Sequence, residues 1–388
     1  MNFPLYIHIP FCRKKCDYCD FFSTPHISPD RTYIQAVIEE VKFYAKKYNV
    51  SEWSSVYIGG GTPSILTPSL LKELIQAVIN VTGQKSIREF TVEMNPNDVT
   101  LNLVQTLCSC GVTRLSLGIQ ALDDKALNAV GRACSVKKIL SALQILKTTW
   151  RGHLSVDFIA GLPCQTLASF KNQFSLLREY NIDHVSLYTL TVEEGTPLAK
   201  KIDLGQIKWK SDKADRMWIC GRNILKKKGF SQYEVSNFSL NEDSQSLHNL
   251  AYWNLDDYIG CGAGASGTIY KEGLRWTNTL DIKLYEKFWL TKNDDVLGNV
   301  QNIEKLDFNT QVFEYLMMGF RKLKGVSAKD FKNRFALELS KRIGETDGVF
   351  AQWKKNGLCH IQKKDGDVFY SLNSRGIMLL NCFLESLL

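Results

Sequence analysis

Three cysteines are crowded into eight residues near the amino terminus, in the segment Cys12-Arg-Lys-Lys-Cys16-Asp-Tyr-Cys19. Thiolates at this spacing can bind one face of a compact soft-metal centre. A structural zinc site requires four ligands, usually as two separated pairs, and a 4Fe–4S cluster normally also has four cysteines. No fourth cysteine is evident, since Phe21 occupies the position two residues after Cys19. The spacing therefore predicts a 4Fe–4S cluster with one iron open to another ligand. A zinc site completed by His26 and plain surface cysteines are the alternatives.

A run of three glycines, Gly59-Gly60-Gly61, is followed by Thr62. Glycine lets backbone N–H groups approach a ligand closely, and the threonine adds a hydroxyl group. The same run is also typical of a bare tight turn. The glycines alone leave both interpretations open.

Polar side chains stand at the ends of three later apolar segments. Glu93, Gln120 and Asp157 each close or interrupt such a segment, and Arg132 follows the second of them. A buried carboxylate is costly unless it is paired, so Glu93 is predicted to meet a cation or hydroxyl groups. Arg132 can supply a charge-assisted hydrogen bond to a ligand carboxylate. Each residue taken singly could be structural, but their shared position argues for one site.

A histidine lies among aromatic residues in the segment His248-Asn249-Leu250-Ala251-Tyr252-Trp253, which has the form HNxxYW. Histidine is a usual axial ligand of heme iron, and flanking aromatics can stack on a macrocycle. The residues alone favour a hydrogen-bonded structural histidine, with the heme ligand as the alternative.

The elements that must position these groups alternate along the first half of the chain. Short apolar, β-branched runs are separated by longer helical patterns, which predicts parallel βαβ units. Six such units predict the fold class α/β, with a partial (β/α)6 barrel whose functional groups gather at the carboxyl ends of the strands. The predicted strands are 5–9, 55–58, 89–94, 114–118, 155–159 and 184–190, and the predicted helices are 31–48, 69–81, 101–108, 136–147 and 169–180.

The pattern changes after residue 200, which predicts three domains: residues 1–200, 201–300 and 301–388. The middle region contains a predicted helix at 214–228 and the HNxxYW segment. The last region has helical patterns at 311–320, 328–335 and 348–356, a hairpin turning at 364–366 and a final helix at 374–387. Helices followed by a hairpin predict a winged-helix-like α+β domain. A role in protein contacts or as a lid is favoured over DNA recognition.

The composition excludes a disordered chain, a collagen-like chain and a small disulfide-rich scaffold. Apolar residues make up 44% and charged residues 23% of the 388 residues, as in ordinary globular proteins. No apolar run predicts a transmembrane segment, and the amino terminus does not have the pattern of a secretory signal, so a cytoplasmic location is expected, with peripheral membrane contact left open. The net charge of +8 comes from 48 basic and 40 acidic residues without a long basic run, which does not favour nucleic-acid binding.

The stretch YIHIPFCRKKCDYC resembles the radical S-adenosylmethionine (SAM) superfamily. Residues 4–290 are similar to the oxygen-independent coproporphyrinogen III oxidase group, and residues 305–388 resemble its C-terminal region more loosely. Within that group, HNxxYW resembles the heme-binding signature of the heme-chaperone branch. The resemblance implies that Cys12, Cys16 and Cys19 bind a 4Fe–4S cluster and that His248 contacts heme. It also implies that SAM is held by Tyr6, Tyr18, Gly60, Gly61, Thr62, Glu93, Gln120, Arg132 and Asp157.

The expected function is that of a heme chaperone, with an unidentified acceptor protein and a reductant such as flavodoxin or ferredoxin. The alternatives are a coproporphyrinogen III oxidase and another radical SAM enzyme acting on a tetrapyrrole. HNxxYW, Phe21 in place of the oxidase's further cysteine, and a first cluster cysteine at residue 12, which indicates that the oxidase's N-terminal extension is missing, favour the chaperone. Ser266 stands where heme-chaperone chains often have a histidine, which implies a single side-chain ligand to heme. No residue is assigned a catalytic role, and reductive SAM cleavage is a hypothesis.

Overall fold

Strands and helices alternate along the first half of the chain in the computed structural model, which describes residues 1–25, 29–291 and 297–387. His26, the alternative zinc ligand, therefore lies outside the described residues. The strands are β1 (Asn2–Ile9), β2 (Phe11–Cys12), β3 (Thr24–Pro25), β4 (Glu52–Gly60), β5 (Phe90–Met94), β6 (Arg114–Gln120), β7 (His153–Ala160), β8 (His184–Thr189), β9 (Ser231–Gln232), β10 (Asn237–Ser239), β11 (Ile259–Cys261), β12 (Ser266–Ile269), β13 (Leu274–Asn278), β14 (Gln301–Lys305), β15 (Val326–Ser327), β16 (Cys359–Lys364) and β17 (Asp367–Leu372).

The helices follow the predicted pattern in most places, with ends that differ by up to about three residues. They are α1 (Arg31–Lys47), α2 (Pro68–Thr82), α3 (Leu101–Ser109), α4 (Asp124–Ala129), α5 (Val136–Thr149), α6 (Leu167–Asn172), α7 (Leu176–Glu179), α8 (Pro197–Asp203), α9 (Ser211–Lys227), α10 (Leu247–Trp253), α11 (Ile282–Thr291), α12 (Phe308–Gly319), α13 (Ala328–Phe335), α14 (Leu339–Ile343), α15 (Val349–Lys355) and α16 (Leu380–Glu385). Within the described ranges, none of them is long and apolar enough to cross a membrane.

The main sheet has nine strands in the order β11-β1-β4-β5-β6-β7-β8-β10-β9. The six strands β1, β4, β5, β6, β7 and β8 are parallel, and each lies beside the next one in the chain. This confirms the predicted partial (β/α)6 barrel. Three further strands were not predicted: β11 extends the sheet in parallel beside β1, β10 pairs antiparallel with β8, and β9 pairs antiparallel with β10.

The parallel strands have one apolar face and one polar face. In β6, Leu115, Leu117 and Ile119 are fully buried in the hydrophobic core, while Ser116 and Gln120 lie on the opposite face. Side chains alternate between the two faces of a strand, so this spacing puts polar groups on the same side. We call the side carrying Tyr57, Glu93, Ser116 and Asp157 the polar face.

The prediction of one continuous helix at 169–180 is wrong. The chain forms α6, a 3₁₀ turn at Gln173–Ser175 and then the single turn α7. Phe170 and Phe174 pack edge to face at a centroid distance of 5.3 Å, and both rings rest on Gly221 of α9, where a Cβ atom would lie within 2.9 and 3.1 Å of them. The tighter turn occurs where both rings meet the same point on the neighbouring helix.

The last region contains helices followed by a hairpin, as predicted. Strands β15, β17 and β16 form an antiparallel sheet, and α12–α16 pack with it around a second hydrophobic cluster. The final helix was predicted at 374–387, but it begins as a 3₁₀ turn and becomes α-helical only at α16. This region contacts the end of α10, because Lys322 Nζ donates to Asn254 Oδ1 at 2.5 Å and Arg334 Nη1 donates to the Leu255 carbonyl at 2.9 Å.

A buried carboxylate on α1 joins the barrel to the middle region. Glu40 is fully buried and accepts hydrogen bonds from the Tyr285 hydroxyl at 2.5 Å, the Gly262 N–H at 2.8 Å and Asn278 Nδ2 at 2.8 Å. Burial raises the pKa of Glu40 to about 7, although these bonds oppose the shift. The three donors come from three different segments, so Glu40 holds them around α1.

The raised pKa of Glu40 predicts a pH-dependent stability. A carboxyl group whose pKa is higher in the folded state binds more protons there, so its contribution to the free energy of unfolding falls by about 1–3 kcal/mol as pH rises from about 4.5 to about 7. Glu40→Gln should be less stable throughout but should lose much of this decrease, measured as thermal midpoints of the apoprotein across that range. Glu73→Gln, which removes the partly exposed partner of Arg31, is the control. An equal pH dependence in both variants would contradict the assignment.

Candidate functional site

The three crowded cysteines lie in one loop after β1. Cys12 ends β2 and is largely buried, whereas Cys16 and Cys19 are partly exposed. The Cys19 N–H donates to the Cys16 carbonyl at 3.1 Å, which makes a tight turn between them. Phe21, which stands where a fourth cysteine was sought, is 72% exposed. The structure therefore brings the predicted ligands together at the carboxyl end of the first barrel strand.

Ion pairs fix this loop on two sides. The Arg13 guanidinium contacts the buried Asp98 carboxylate at 2.8 Å, and Asp98 follows β5. On the other side, the Asp17 N–H donates to the Val130 carbonyl at 2.9 Å, and the Asp17 carboxylate pairs with Lys201 of α8 at 2.6 Å. Three separate elements thus hold the loop, and side chains within it can be kept in place without a bound metal.

Polar groups approach the cysteine sulfurs. The Thr62 hydroxyl lies 3.4 Å from Cys12 Sγ, and Arg132 Nη1 donates to Cys16 Sγ at 3.7 Å. Arg132 Nε is buried and has no hydrogen-bond partner among the described residues. Tyr18 also bonds to Cys16, and burial raises the pKa of its phenol. A cation and hydroxyl groups around thiolates suit an anionic iron–sulfur centre, whose properties depend on such hydrogen bonds.

The arrangement of the cysteine loop differs from a site for a single metal ion. Among the described residues, no three His, Cys, Asp or Glu side chains converge as they would around one metal ion. A 4Fe–4S cubane binds each thiolate at a different iron, so it does not require that convergence. Burial raises the pKa of Cys19 in the protein alone. The zinc alternative that includes His26 extends beyond the described residues.

The glycine loop lies against Glu93. Glu93 Oε2 accepts the Gly60 N–H at 3.1 Å, and its Oε1 accepts the Tyr57 hydroxyl at 2.7 Å. A Cβ atom on Gly59 would lie 2.8 Å from the Tyr57 ring and 3.0 Å from the Glu93 carboxyl carbon. Gly60 has a φ of +112°, and a Cβ there would lie 2.6 Å from the His8 ring. These contacts require glycine, which explains two positions of the run.

The loop also reaches the cysteine loop and the first strand. A Cβ atom on Gly61 would lie 3.0 Å from Cys12 Sγ, so the two loops are in direct contact. The Tyr6 hydroxyl contacts His8 Nδ1 at 3.0 Å, and His8 Nε2 contacts the Phe22 carbonyl at 3.0 Å. The predicted residue Tyr6 therefore lies beside this loop, and His8 holds it there.

Arg132 and Gln120 meet at the end of β6. Arg132 Nη2 donates to the Gly118 carbonyl. A Cβ atom on Gly118 would lie 2.9 Å from Gln120 Nε2 and 3.2 Å from Arg132 Nη2. Gln120 has a positive φ of 69°, which turns the chain out of the strand at this point. Arg132 lies in the loop between α4 and α5.

Asp157 lies within β7, three residues before its end, and not at its terminus. Its carboxylate accepts the Ser116 hydroxyl at 3.2 Å and also bonds to Ser186. Burial raises the pKa of Asp157 to about 6 and that of Glu93 to about 7. Part of the Glu93 shift comes from the charge of Asp157, so the two carboxylates disfavour each other's ionisation. A cationic ligand on this polar face would relieve both effects.

The sequence analysis did not identify Tyr57, His8 and Ser116 as site residues. All three are polar residues at alternate positions of otherwise apolar strands, and that spacing was the available signal. Their roles depend on partners in other strands, which the sequence does not reveal. The described residues nevertheless bring the predicted set together on one polar face.

His248 lies deep on the same polar face. It is 1% exposed, its Nδ1 contacts the Ser55 hydroxyl at 2.9 Å, and its Nε2 contacts the Tyr252 hydroxyl at 3.0 Å. Its ring stacks on Tyr57 at a centroid distance of 5.1 Å. Burial lowers the pKa of His248 to about 3, so the imidazole is neutral near pH 7. Both ring nitrogens are engaged, which is the arrangement of a hydrogen-bonded structural histidine.

The amino end of α10 is anchored at the amino ends of β5 and β6. The buried Glu89 carboxylate accepts the Ser246 hydroxyl at 3.0 Å and the N–H groups of Leu247 and His248 at 2.7 and 3.0 Å. Arg114 Nε lies 3.5 Å from Glu89, and Arg114 Nη2 donates to two backbone carbonyls of the preceding loop. A carboxylate at a helix amino terminus is favourable electrostatically. This network holds HNxxYW against the sheet.

Trp253 and Ser266, two further members of the heme-binding prediction, contact groups other than His248. The Arg321 guanidinium of the last region lies 5.6 Å from the ring centre of Trp253. The Ser266 hydroxyl bonds to Thr277 at 2.8 Å across the β12–β13 pair. The expectation that Ser266 leaves a single side-chain ligand to heme remains a prediction.

Comparison with known proteins matches the two regions to two domain families. The Radical SAM superfamily model matches residues 6–177, and the HemN C-terminal domain model matches residues 306–378. The structure of coproporphyrinogen III oxidase (HemN) from Escherichia coli has a TM-score of 0.81 and 19% identity, covering 100% of this chain and 90% of that one. The fold and the cysteine site define a radical SAM protein. The boundaries predicted at residues 200 and 300 remain predictions.

Curated relatives narrow this class. The heme chaperone HemW of Lactococcus lactis is 34% identical over 345 residues, covering 88% of this chain and 87% of that protein. The mitochondrial radical S-adenosyl methionine domain-containing protein 1 of Danio rerio is 31% identical over 396 residues, covering 99% of this chain and 84% of that protein. The chain belongs to the HemW family of the radical SAM superfamily.

Because the ion pair between Arg13 and Asp98 fixes the cysteine loop, removing the Asp98 charge should reduce retention of the cluster. Asp98→Asn removes the charge that holds Arg13 and weakens the bond from Ser64 Oγ, which is 3.0 Å long. We expect about 1–3 kcal/mol less support for the loop and several-fold less iron and sulfide retained after anaerobic reconstitution and gel filtration. Glu73→Gln is the control. Equal iron content in all three proteins would show that the pair does not position the loop.

Because Glu89 anchors α10, replacing Glu89 should strongly lower the stability of the protein. Glu89→Ala leaves Arg114 as a buried, unpaired cation and removes three acceptor bonds, so we expect about 3–5 kcal/mol lower stability and faster amide exchange in residues 244–255. Thermal unfolding and hydrogen exchange with mass spectrometry would measure both. Glu242→Gln, an exposed position in the same loop, is the control. Normal exchange in the Glu89 variant would contradict the anchoring role.

Proposed function

We propose that the chain is a heme chaperone that carries a SAM-coordinated 4Fe–4S cluster, binds heme and transfers it to an acceptor protein. The observation that carries the proposal is the meeting of the cysteine loop, the glycine loop with Glu93, and the HNxxYW helix on one polar face. Relatives named heme chaperone HemW, at 30–34% identity over most of the chain, support it.

In the proposed site, Cys12, Cys16 and Cys19 would bind three irons of the cluster and would leave the fourth open to SAM. When bound and reduced, the cluster would supply the single electron that cleaves the SAM sulfonium into methionine and a 5′-deoxyadenosyl radical. The resemblance assigns the SAM amino group to the glycine loop, which rests on Glu93, and the Arg132 guanidinium can supply a charge-assisted bond to the SAM carboxylate. These assignments fit the charges on the polar face, because Glu93 lacks a cationic partner and Arg132 Nε lacks an acceptor among the described residues.

The proposed heme ligand is His248. It can bind iron only after the bond from Ser55 or from Tyr252 to its ring is broken, because both nitrogens are engaged. We propose that heme binding breaks the Ser55 contact and thereby loosens α10 from the polar face, since Tyr252 belongs to the same helix as His248 and its contact does not tie α10 to the sheet. The neutral imidazole that burial maintains is the form that ligates iron.

The remaining parts of the proposal concern partners and location. Electrons would come from a reductant such as flavodoxin or ferredoxin, and the acceptor protein is identified only as a recipient of heme. We propose a cytoplasmic location on the basis of the sequence pattern.

A radical SAM enzyme acting on a tetrapyrrole, such as a coproporphyrinogen III oxidase, is the second candidate. The observation in its favour is Tyr188, a phenol on the polar face that is 44% exposed and bonds to Ser186 beside Asp157. An open polar surface next to the proposed SAM site could receive a substrate.

Anaerobic reconstitution followed by separate assays for heme binding and coproporphyrinogen consumption distinguishes the two candidates. The chaperone is expected to retain heme, seen as a Soret band after gel filtration, without consuming the substrate. His248→Ala should reduce heme retention at least about tenfold, as loss of an axial ligand would, while iron and sulfide stay unchanged. Formation of protoporphyrinogen would select the oxidase.

The matched control is His184→Ala. His184 is also fully buried on the polar face, with a serine (Ser155, 2.7 Å) and a tyrosine (Tyr233, 2.8 Å) at its two ring nitrogens. Heme loss in the His248 variant alone supports ligation by that residue. Equal heme loss in both variants would indicate a general effect of removing a buried histidine and would count against His248 as the ligand.

A further inference from the structure

A continuous set of contacts joins the glycine loop to the HNxxYW helix through Tyr57. The Tyr57 hydroxyl donates to Glu93 at 2.7 Å, and Glu93 also accepts the Gly60 N–H at 3.1 Å. The Tyr57 ring stacks on His248 with centroids 5.1 Å apart and planes 28° apart. Tyr57 therefore contacts both the carboxylate of the proposed SAM site and the proposed heme ligand. The Tyr6 ring also lies near His248, with centroids 6.4 Å apart, but its hydroxyl bonds to His8.

The contacts around Tyr57 leave little freedom for independent movement. Gly59 has no side chain where a Cβ atom would meet both the Tyr57 ring and the Glu93 carboxyl group. A second contact comes from Ser55, which lies two residues before Tyr57 in the same strand. Its hydroxyl bonds to the His248 imidazole at 2.9 Å. The imidazole is thus held against β4 at two points, one of which depends on the position of the Tyr57 ring.

A ligand bound at the glycine loop would first alter the ionisation of the Glu93 carboxyl group. Glu93 is partly buried, accepts two hydrogen bonds and has no cationic partner among the described residues. A cationic group bound at the glycine loop would favour the ionised carboxylate, and an ionised carboxylate accepts a stronger hydrogen bond from a phenol. The Tyr57 ring would then be held more firmly in the position in which it stacks on His248.

We propose that Tyr57 is a positioning residue that couples occupancy of the glycine-loop site to the stability of α10. This inference rests on the proposed function in that the ligand of the loop is SAM. Coupling between two sites is reciprocal, so SAM stabilises α10 in its closed position and heme ligation by His248 weakens SAM binding. The same chain of contacts makes SAM an antagonist of heme uptake.

The test uses the full-length protein, anaerobically reconstituted with iron and sulfide but without heme. SAM affinity is measured by equilibrium dialysis, and amide exchange of residues 244–255 is followed with and without saturating SAM. In the native protein, SAM should slow exchange of this segment by about fivefold, the lower end of ordinary coupling factors. Tyr57→Phe keeps the ring but removes the hydroxyl, so it should still bind SAM and should lose the protection.

Tyr44→Phe is the matched control, because it removes a buried tyrosine hydroxyl that bonds to Gln301 at 2.9 Å away from this site. It should behave as the native protein does. A second variant, Ser55→Ala, releases the imidazole from β4 at the other point and should reduce the protection while leaving SAM affinity within about twofold. It keeps the test valid if the Tyr57 variant fails to fold.

The outcomes separate the inference from the proposed function. SAM binding without any change in exchange would overturn the coupling and leave the proposed cofactor intact. Protection that persists in Tyr57→Phe or in Ser55→Ala would show that another route joins the sites. Absence of SAM binding to the native protein would overturn both proposals. Heme titrations with and without SAM provide the reciprocal measurement, and an affinity for heme that SAM leaves unchanged would also contradict the coupling.

Discussion

The partly buried carboxylate of Glu93 is the group on which the arrangement of the site depends. It accepts one bond from the glycine loop and one from Tyr57, so it fixes the end of β4 relative to β5. Burial keeps its charge unfavourable in the protein alone, as the raised pKa indicates. The surrounding glycines let neighbouring side chains approach this carboxylate closely, because a Cβ atom on Gly59 or Gly60 would collide with Tyr57 or His8.

Different ion pairs hold the segments at the two ends of the barrel. At the carboxyl ends of the strands, the cysteine loop is tied down by ion pairs with Asp98 and Lys201. At the amino ends, the Glu89–Arg114 pair holds the start of α10. Each end uses buried or half-buried charges, which are strong only while both partners are present. Between these two regions, the Tyr57 side chain contacts both Glu93 and His248.

Local patterns predicted a large part of the fold. Apolar runs and helical spacing located the six barrel strands, and the cysteine spacing located the loop that follows the first of them. What failed depended on partners distant in sequence. The three-residue β11 has too few residues to show a pattern, and the contact between Ser55 and His248 spans 193 positions. The residues of HNxxYW suggested either a ligand or a structural histidine, and only its neighbours in space show how its nitrogens are engaged.

The pairing of β11 with β1 has a consequence for biosynthesis. Strand β1 carries the segment that leads into the cysteine loop, and one of its edges is covered by residues 259–261. That edge stays uncovered on the ribosome until two-thirds of the polypeptide has been translated. An open strand edge invites pairing with other chains. The nascent chain therefore exposes this edge of β1 until residues 259–261 have been synthesised.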